Sequence, residues 1–259
     1  MGSSMAKRIL LIVEGDNDEV AFFKRLFGKC FRKTEYCIYR YSTTIHTLAQ
    51  ELYKHYPEFE KDEIDIQLVL QSLEKDKNKK DLLQGKYTDV YLIFDFEPQH
   101  DHTHFDMLKR MINYFSDSTA QGKLYLNYPM MQSYKHFLYL PDNEFYNRIV
   151  DYNQICNYKK VVGEESSYTD INKYVYHDFY SLAVHHIRKA NYILSGKYAL
   201  PDFKDYLEFD YGKIFDAELE LFQNGKSVSV LNTCIFALCD YAPKRFFDFV
   251  NKKASELSI

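Results

Sequence analysis

The chain has 259 residues, of which 46% are hydrophobic and 27% charged, the balance of a folded domain with a sizeable core, so a mainly disordered chain is excluded. Nine Gly and six Pro are about half the usual share, which argues against a turn-dense sandwich or barrel and for long regular elements. Lys and Arg number 33 against 37 Asp and Glu, and the net charge of −4 excludes a global basic field that would draw in nucleic acid by counterion release.

In chain order, Arg8 to Val13 is an aliphatic run that ends at Glu14-Gly15, the signature of a strand buried on both faces of a parallel sheet. Asp16 followed by Glu19 reads as a capping box, and Val20, Phe23, Leu26, Phe27 and Cys30 then recur at helical spacing. A second strand is expected over 36–41, with helices over 44–56 and 64–73, and the lysine-rich stretch 75–80 reads as a solvated loop. Another buried run, Val90 to Phe94, ends in Asp95-Phe96-Glu97-Pro98. Thr103 and Asp106 then cap a helix with Phe105, Leu108, Met111, Ile112 and Phe115 on one face, and a strand over 123–128 stops at Pro129.

Strands alternating with helices predict an α/β fold with a mainly parallel sheet flanked by helices. The alternation fades near residue 140. Phe179, Leu182, Ala183, His186, Ile187, Ala190 and Leu194 then mark a long amphipathic helix, and the rest of the chain reads as mostly helical. Two regions are expected, 5–140 and 141–259. Met1-Gly2-Ser3-Ser4 ahead of Met5 reads as a remnant of expression cloning. Five Cys without a CxxC pair fit a reducing compartment, and no apolar run approaches the ~18 residues needed to span a bilayer. A cytoplasmic protein without membrane contact is the expectation.

In an open parallel sheet, ligands bind outside the carboxyl ends of the strands. Glu14, Asp95 and Glu97 all fall at such ends. Converging carboxylates repel each other unless a cation offsets them, and a hard divalent ion, Mg2+ or Mn2+, suits oxygen donors. Alternate residues of an extended chain point the same way, so Asp95 and Glu97 would face one ion or bridge two. Asp18, in the first helical turn, is either a second metal position or a favourable partner of the helix dipole. Lys135 follows the last strand, where a cation would neutralise phosphate. Asp101 stands among His100, His102 and His104 beside the acids, as a further metal candidate in a loop that otherwise faces substrate or water. His185 and His186 read as buried, hydrogen-bonded helix residues.

Ile12-Val13-Glu14-Gly15 with Asp18, and Leu92-Ile93-Phe94-Asp95-Phe96-Glu97, resemble the Toprim domain shared by topoisomerases, primases and several nucleases. Its signature is a strand ending in Glu-Gly and a later strand ending in Asp-x-Asp. The resemblance covers about residues 7–130 and departs from the pattern in the last acid, here Glu97. It implies a Rossmann-like Toprim fold in which Glu14 is the general acid/base of phosphoryl transfer and Asp95 and Glu97 bind magnesium. Asp18 matches an additional acid of the nuclease branch similar to the overcoming-lysogenisation-defect proteins. The implied function is a magnesium-dependent nuclease acting on DNA or RNA, an effector of bacterial phage defence, by itself or as part of an oligomer. The alternative is a catalytically silent or partner-activated Toprim protein working with an ATPase. A receiver-like signalling module would also gather acids at strand ends, but without the Glu-Gly step.

Overall fold

The computed structural model describes residues 7–15, 17–58, 61, 63–99 and 105–257. Strand β1 (Arg8–Val13) feeds helix α1 (Asp18–Cys30), which buries Val20, Phe22, Phe23, Leu26 and Phe27 in the core, and strand β2 (Glu35–Arg40) follows. Helices α2 (Ile45–His55) and α3 (Ile66–Leu73) are capped by the side chains of Thr44 and Asp65. The stretch expected as a lysine-rich loop is instead helix α4 (Lys77–Leu83). Its start is set by Asp76, whose carboxylate accepts from the Lys79 N–H at 3.0 Å, and the buried Leu83 anchors its end. Lysine itself favours helix once a cap is present.

Strand β3 (Asp89–Asp95) is buried along its whole length, as its unbroken apolar run requires of a central strand. Helix α5 (Phe105–Tyr114), the short strand β4 (Ser116–Asp117) and strand β5 (Gly122–Asn127) complete a five-stranded sheet in the order β2-β1-β3-β5-β4, parallel except for β4. The expected capping residues Asp16 and Thr103 lie outside the described residues. The chain passes from β1 to β2 on one side and returns to β3 on the other, so the topological switch lies between β1 and β3. This is the crevice where open α/β sheets bind ligands.

The rest of the chain comprises β6 (Ile149–Asp151), α6 (Tyr152–Cys156), α7 (Tyr158–Glu165), α8 (Tyr176–Ser195), α9 (Phe203–Leu207), α10 (Tyr211–Gly225), β7 (Ser227–Ser229), α11 (Ala237–Asp240) and α12 (Pro243–Leu257). It is mostly helical, with β6 and β7 paired antiparallel. Helix α8 packs on α1, and α10 on α5. The chain after β7 is stitched to the sheet: Tyr128 and Leu231 exchange backbone hydrogen bonds at 2.8 and 2.9 Å, and Thr233 donates to the Leu126 carbonyl at 2.9 Å. One hydrophobic core therefore runs through both regions. His185 and His186 are fully buried in α8. His185 accepts the Asp142 N–H at 3.0 Å, and His186 accepts that of Asn232 at 3.1 Å. No helix among the described residues is long and apolar enough to cross a membrane.

Candidate metal centre

Strands β1 and β3 run parallel with Val13 opposite Ile93, so the residues that follow each strand emerge side by side at the switch point. Glu14 is held there by its own backbone, whose N–H donates to the Ile93 carbonyl at 3.1 Å. Its carboxylate turns toward β3 and accepts the Asp95 N–H at 3.0 Å. Asp95, the last residue of β3, is buried, and one carboxylate oxygen accepts from the Asn127 amide at 3.3 Å. That amide is oriented in turn by the Cys234 N–H, which donates to its oxygen at 3.2 Å.

Glu97 reaches the same cleft by a different route from the one its spacing suggests. Its φ of +38° leaves the extended conformation, so the rule of alternating side chains does not carry through from Asp95. Its N–H is tethered to the Pro129 carbonyl at 3.4 Å. Asp18, at the start of α1, is half-buried, accepts from the Gln132 side chain and has the Lys159 amine 3.6 Å away. A cleft of about 670 Å³ is lined by Glu14, Asp18, Glu19, Asp95 and Glu97, with Lys159 and Lys160 on its rim.

Glu19 is the member that sequence reasoning missed. It reads as a capping partner of Asp16, yet its side chain folds back into the cleft and is 6% exposed. The space it fills exists because Gly15 has no side chain. A Cβ at Gly15 would stand 2.5 Å from a Glu19 carboxylate oxygen. Glycine directly after Glu14 is thus the sequence signal that could have found it.

The electrostatics follow from this crowding. Burial, and then the charge of Asp95, pushes the Glu14 carboxyl up to about 9. Burial and then Glu19 raise Asp95 well above the usual carboxylate range, and burial raises Glu19. The protein itself supplies little compensating positive charge to these buried acids. Lys135 closes the short 3-10 turn Met131–Lys135 and is not among the lining residues; burial lowers its amine, and the nearby Asp18 offsets only part of that. Asp101, with His100, His102 and His104, lies outside the described residues.

Among the described residues, no group of three or more His, Cys, Asp and Glu side chains stands as a ready-made metal cage. The donor set nevertheless fits a hard divalent cation. It offers five carboxylates, with the Cys156 thiol also lining the cleft, and burial followed by the neighbouring acids raises Glu14 and Asp95, a state that such an ion relieves. No protein-family model, no curated protein and no solved structure matches the chain.

Proposed function

We propose that the chain is a Toprim-like nuclease that hydrolyses phosphodiester bonds of DNA or RNA with Mg2+ or Mn2+, and that it serves as an effector of bacterial phage defence. The observation that carries the chemical part is the contact between Glu14 and Asp95. Acids read from two separate sequence motifs, expected to share one reaction centre, meet at the switch point of the sheet, where the Glu14 carboxylate accepts the Asp95 backbone N–H at 3.0 Å. The defence role rests on the resemblance of the Glu14-Gly15 and Asp95-Phe96-Glu97 motifs to Toprim nucleases.

In this reading Asp95, Glu97, Asp18 and the newly placed Glu19 hold the divalent ion, and Asp101 is an additional ligand candidate. The ion supplies positive charge to the phosphate oxygens and to the carboxylates around it. Glu14 accepts the proton of the water that attacks phosphorus, the P–O ester bond breaks, and the leaving oxygen takes up a proton as alcohol. Burial and Asp95 raise the Glu14 carboxyl to about 9 in the ion-free cleft, and a bound divalent ion would shift it back toward the basic form. Lys135 lies near Asp18 but outside the cleft lining, so its part is longer-range charge balance for the bound phosphate.

The test is cleavage of plasmid DNA, single-stranded DNA and transfer RNA with Mg2+ or Mn2+, comparing wild type with Glu14→Gln. Metal-dependent cleavage lost in the variant supports the reading. Equal cleavage by both proteins overturns it. A second reading, activation by an ATPase partner, is favoured by the net charge of −4, which gives weak unaided attraction for a polyanion. Its mark is Glu14-dependent cleavage that appears only when the partner is added.

A further inference from the structure

The acids occupy one side of the cleft, and the other side is made by the C-terminal region. Ile155, Cys156, Asn157, Tyr158, Lys159 and Lys160, from the end of α6 and the start of α7, line it. No sequence motif marks this segment. Lys159 and Lys160 reach the cleft with side chains 71% and 75% exposed. Their present partners are distant: Lys159 lies 3.6 Å from Asp18, and Lys160 lies 3.9 Å from Glu164. Exposed pairs of this kind are worth about 0–1 kcal/mol, so both amines can leave them for a stronger anion.

The helix that carries them is fixed in place at both ends. At its start, the buried Tyr158 hydroxyl meets His136 Nδ1 at 3.0 Å, and at its end Glu165 meets His136 Nε2 at 2.9 Å. His136 is itself 1% exposed and directly follows the Met131–Lys135 turn, which also supplies Gln132 to Asp18. Ser166, the residue after α7, donates to the carbonyls of Lys135 and Phe137. The turn that steadies the acidic side therefore also steadies the lysines, and the two sides keep a set relation across the cleft. Asn157, the N-cap of α7, makes no side-chain cap bond and lines the cleft beside the two lysines.

We propose that Lys159 and Lys160 form a phosphate-binding track for a nucleic-acid backbone, gripping phosphates adjacent to the one held at the acids. The inference rests on the nuclease reading for the identity of the polyanion. It assigns the segment after β6 the work of offsetting the repulsion that a chain of charge −4 presents to such a ligand. Lys159 and Lys160 are positioning residues, since they touch the backbone and not the bond that breaks.

The experiment measures binding of a fluorescent single-stranded oligonucleotide against salt concentration, with Mg2+ present, in the full-length Glu14→Gln protein to suppress cleavage. Cleavage is followed in parallel in the otherwise wild-type chain. Adding Lys159→Ala and Lys160→Ala is expected to weaken binding about tenfold and to flatten the log–log salt slope by about 1.4, or roughly 0.7 for each phosphate that a lysine no longer neutralises. The pair Lys159→Arg and Lys160→Arg restores both, and Lys244→Ala with Lys252→Ala on α12 changes neither. Glu14-dependent cleavage together with an unchanged salt slope in the Ala pair overturns the track and leaves the nuclease intact. A lysine-dependent slope without any Glu14-dependent cleavage overturns the nuclease and keeps the track as a binding site. Absence of both overturns both.

Discussion

The molecule holds two clusters of largely buried charge that are built on opposite plans. Around Lys123 the charges close on themselves: its amine lies 2.5 Å from Asp240, whose carboxylate also accepts the hydroxyls of Tyr125 at 2.5 Å and Tyr206 at 2.6 Å. Burial works to lower the Lys123 amine, but Asp240 outweighs it and holds the amine well above its ordinary value. At the carboxyl end of the sheet Glu19 and Asp95 are buried beside the partly exposed Glu14, and burial followed by neighbouring acids raises all three instead. A cluster that is neutral inside itself holds structure together. A cluster with surplus charge of one sign lowers stability unless something from outside completes it, and this asymmetry separates a packing device from a site that calls for a ligand.

The largest effect that sharpens this contrast is expected at Glu14. Glu14→Gln should reduce cleavage about 10²–10⁴-fold, the usual contribution of a general base, while the melting temperature of the metal-free protein holds at neutral pH, where the amide replaces a carboxyl that is already protonated, and rises only at higher pH. Parallel cleavage rates and thermal melts check both halves, and a variant that unfolds would place Glu14 among the structural groups. In the closed cluster the opposite is expected: Asp240→Asn strands the Lys123 charge and should cost about 3 kcal/mol in denaturant unfolding. A loss below about 1 kcal/mol would erase the distinction between the two plans.

A smaller effect is the pH dependence, which should run in opposite directions in the two regions. Glu14 binds its proton more tightly folded, at about 9 against an ordinary 4.5, so its contribution is fully present below pH 4.5 and is lost as pH rises through 9. Lys189, buried in α8, is lowered by burial to about 7 from an ordinary 10.5, with Glu218 pulling it back up. Its folded state binds the proton less tightly, so its penalty is greatest below pH 7 and fades as pH rises through 10.5. Melting curves from pH 5 to 9 without metal should lose the downward trend in Glu14→Gln and the upward one in Lys189→Met. Mg2+ should stabilise the wild type more at pH 8 than at pH 5.

Gly15→Ala sits lower still. Its Cβ would displace the Glu19 carboxylate, the end of a flexible side chain, so stability should fall by about 1 kcal/mol or less while Mn2+ affinity by titration calorimetry drops severalfold. Unchanged affinity would remove Glu19 from the ion site. The smallest expected change is Asp76→Ala, about 1 kcal/mol from removal of the α4 cap and none in cleavage, read by denaturant unfolding.

How much of the fold and of the cleft is legible in the sequence depends on whether the signal is local. Aliphatic runs locate β1 and β3 because a strand buried on both faces has no other way to be written, and acids at strand ends follow directly. Helix α4 is hidden because a single cap and one buried leucine leave a charge run unchanged in appearance. The spacing puts Glu97 in the right cleft by the wrong geometry, since a left-handed φ at a non-glycine residue leaves no mark in the sequence. Lys159 and Lys160 are invisible as site residues because their place depends on His136, a tether between segments distant in sequence.

Asn127 gives the two regions a shared responsibility. A side-chain amide can be turned either way round, and only one way offers its NH2 edge to Asp95. The choice is made by the Cys234 peptide, 107 residues along the chain, which claims the amide oxygen. A fragment cut at residue 140 to isolate the sheet would keep Glu14, Asp95 and Glu97 and yet lose that instruction, leaving the amide equally able to present its oxygen to a carboxylate that it would repel. The acidic cleft is therefore not portable: grafting or expressing the sheet alone would transplant the acids without the polarity that directs them.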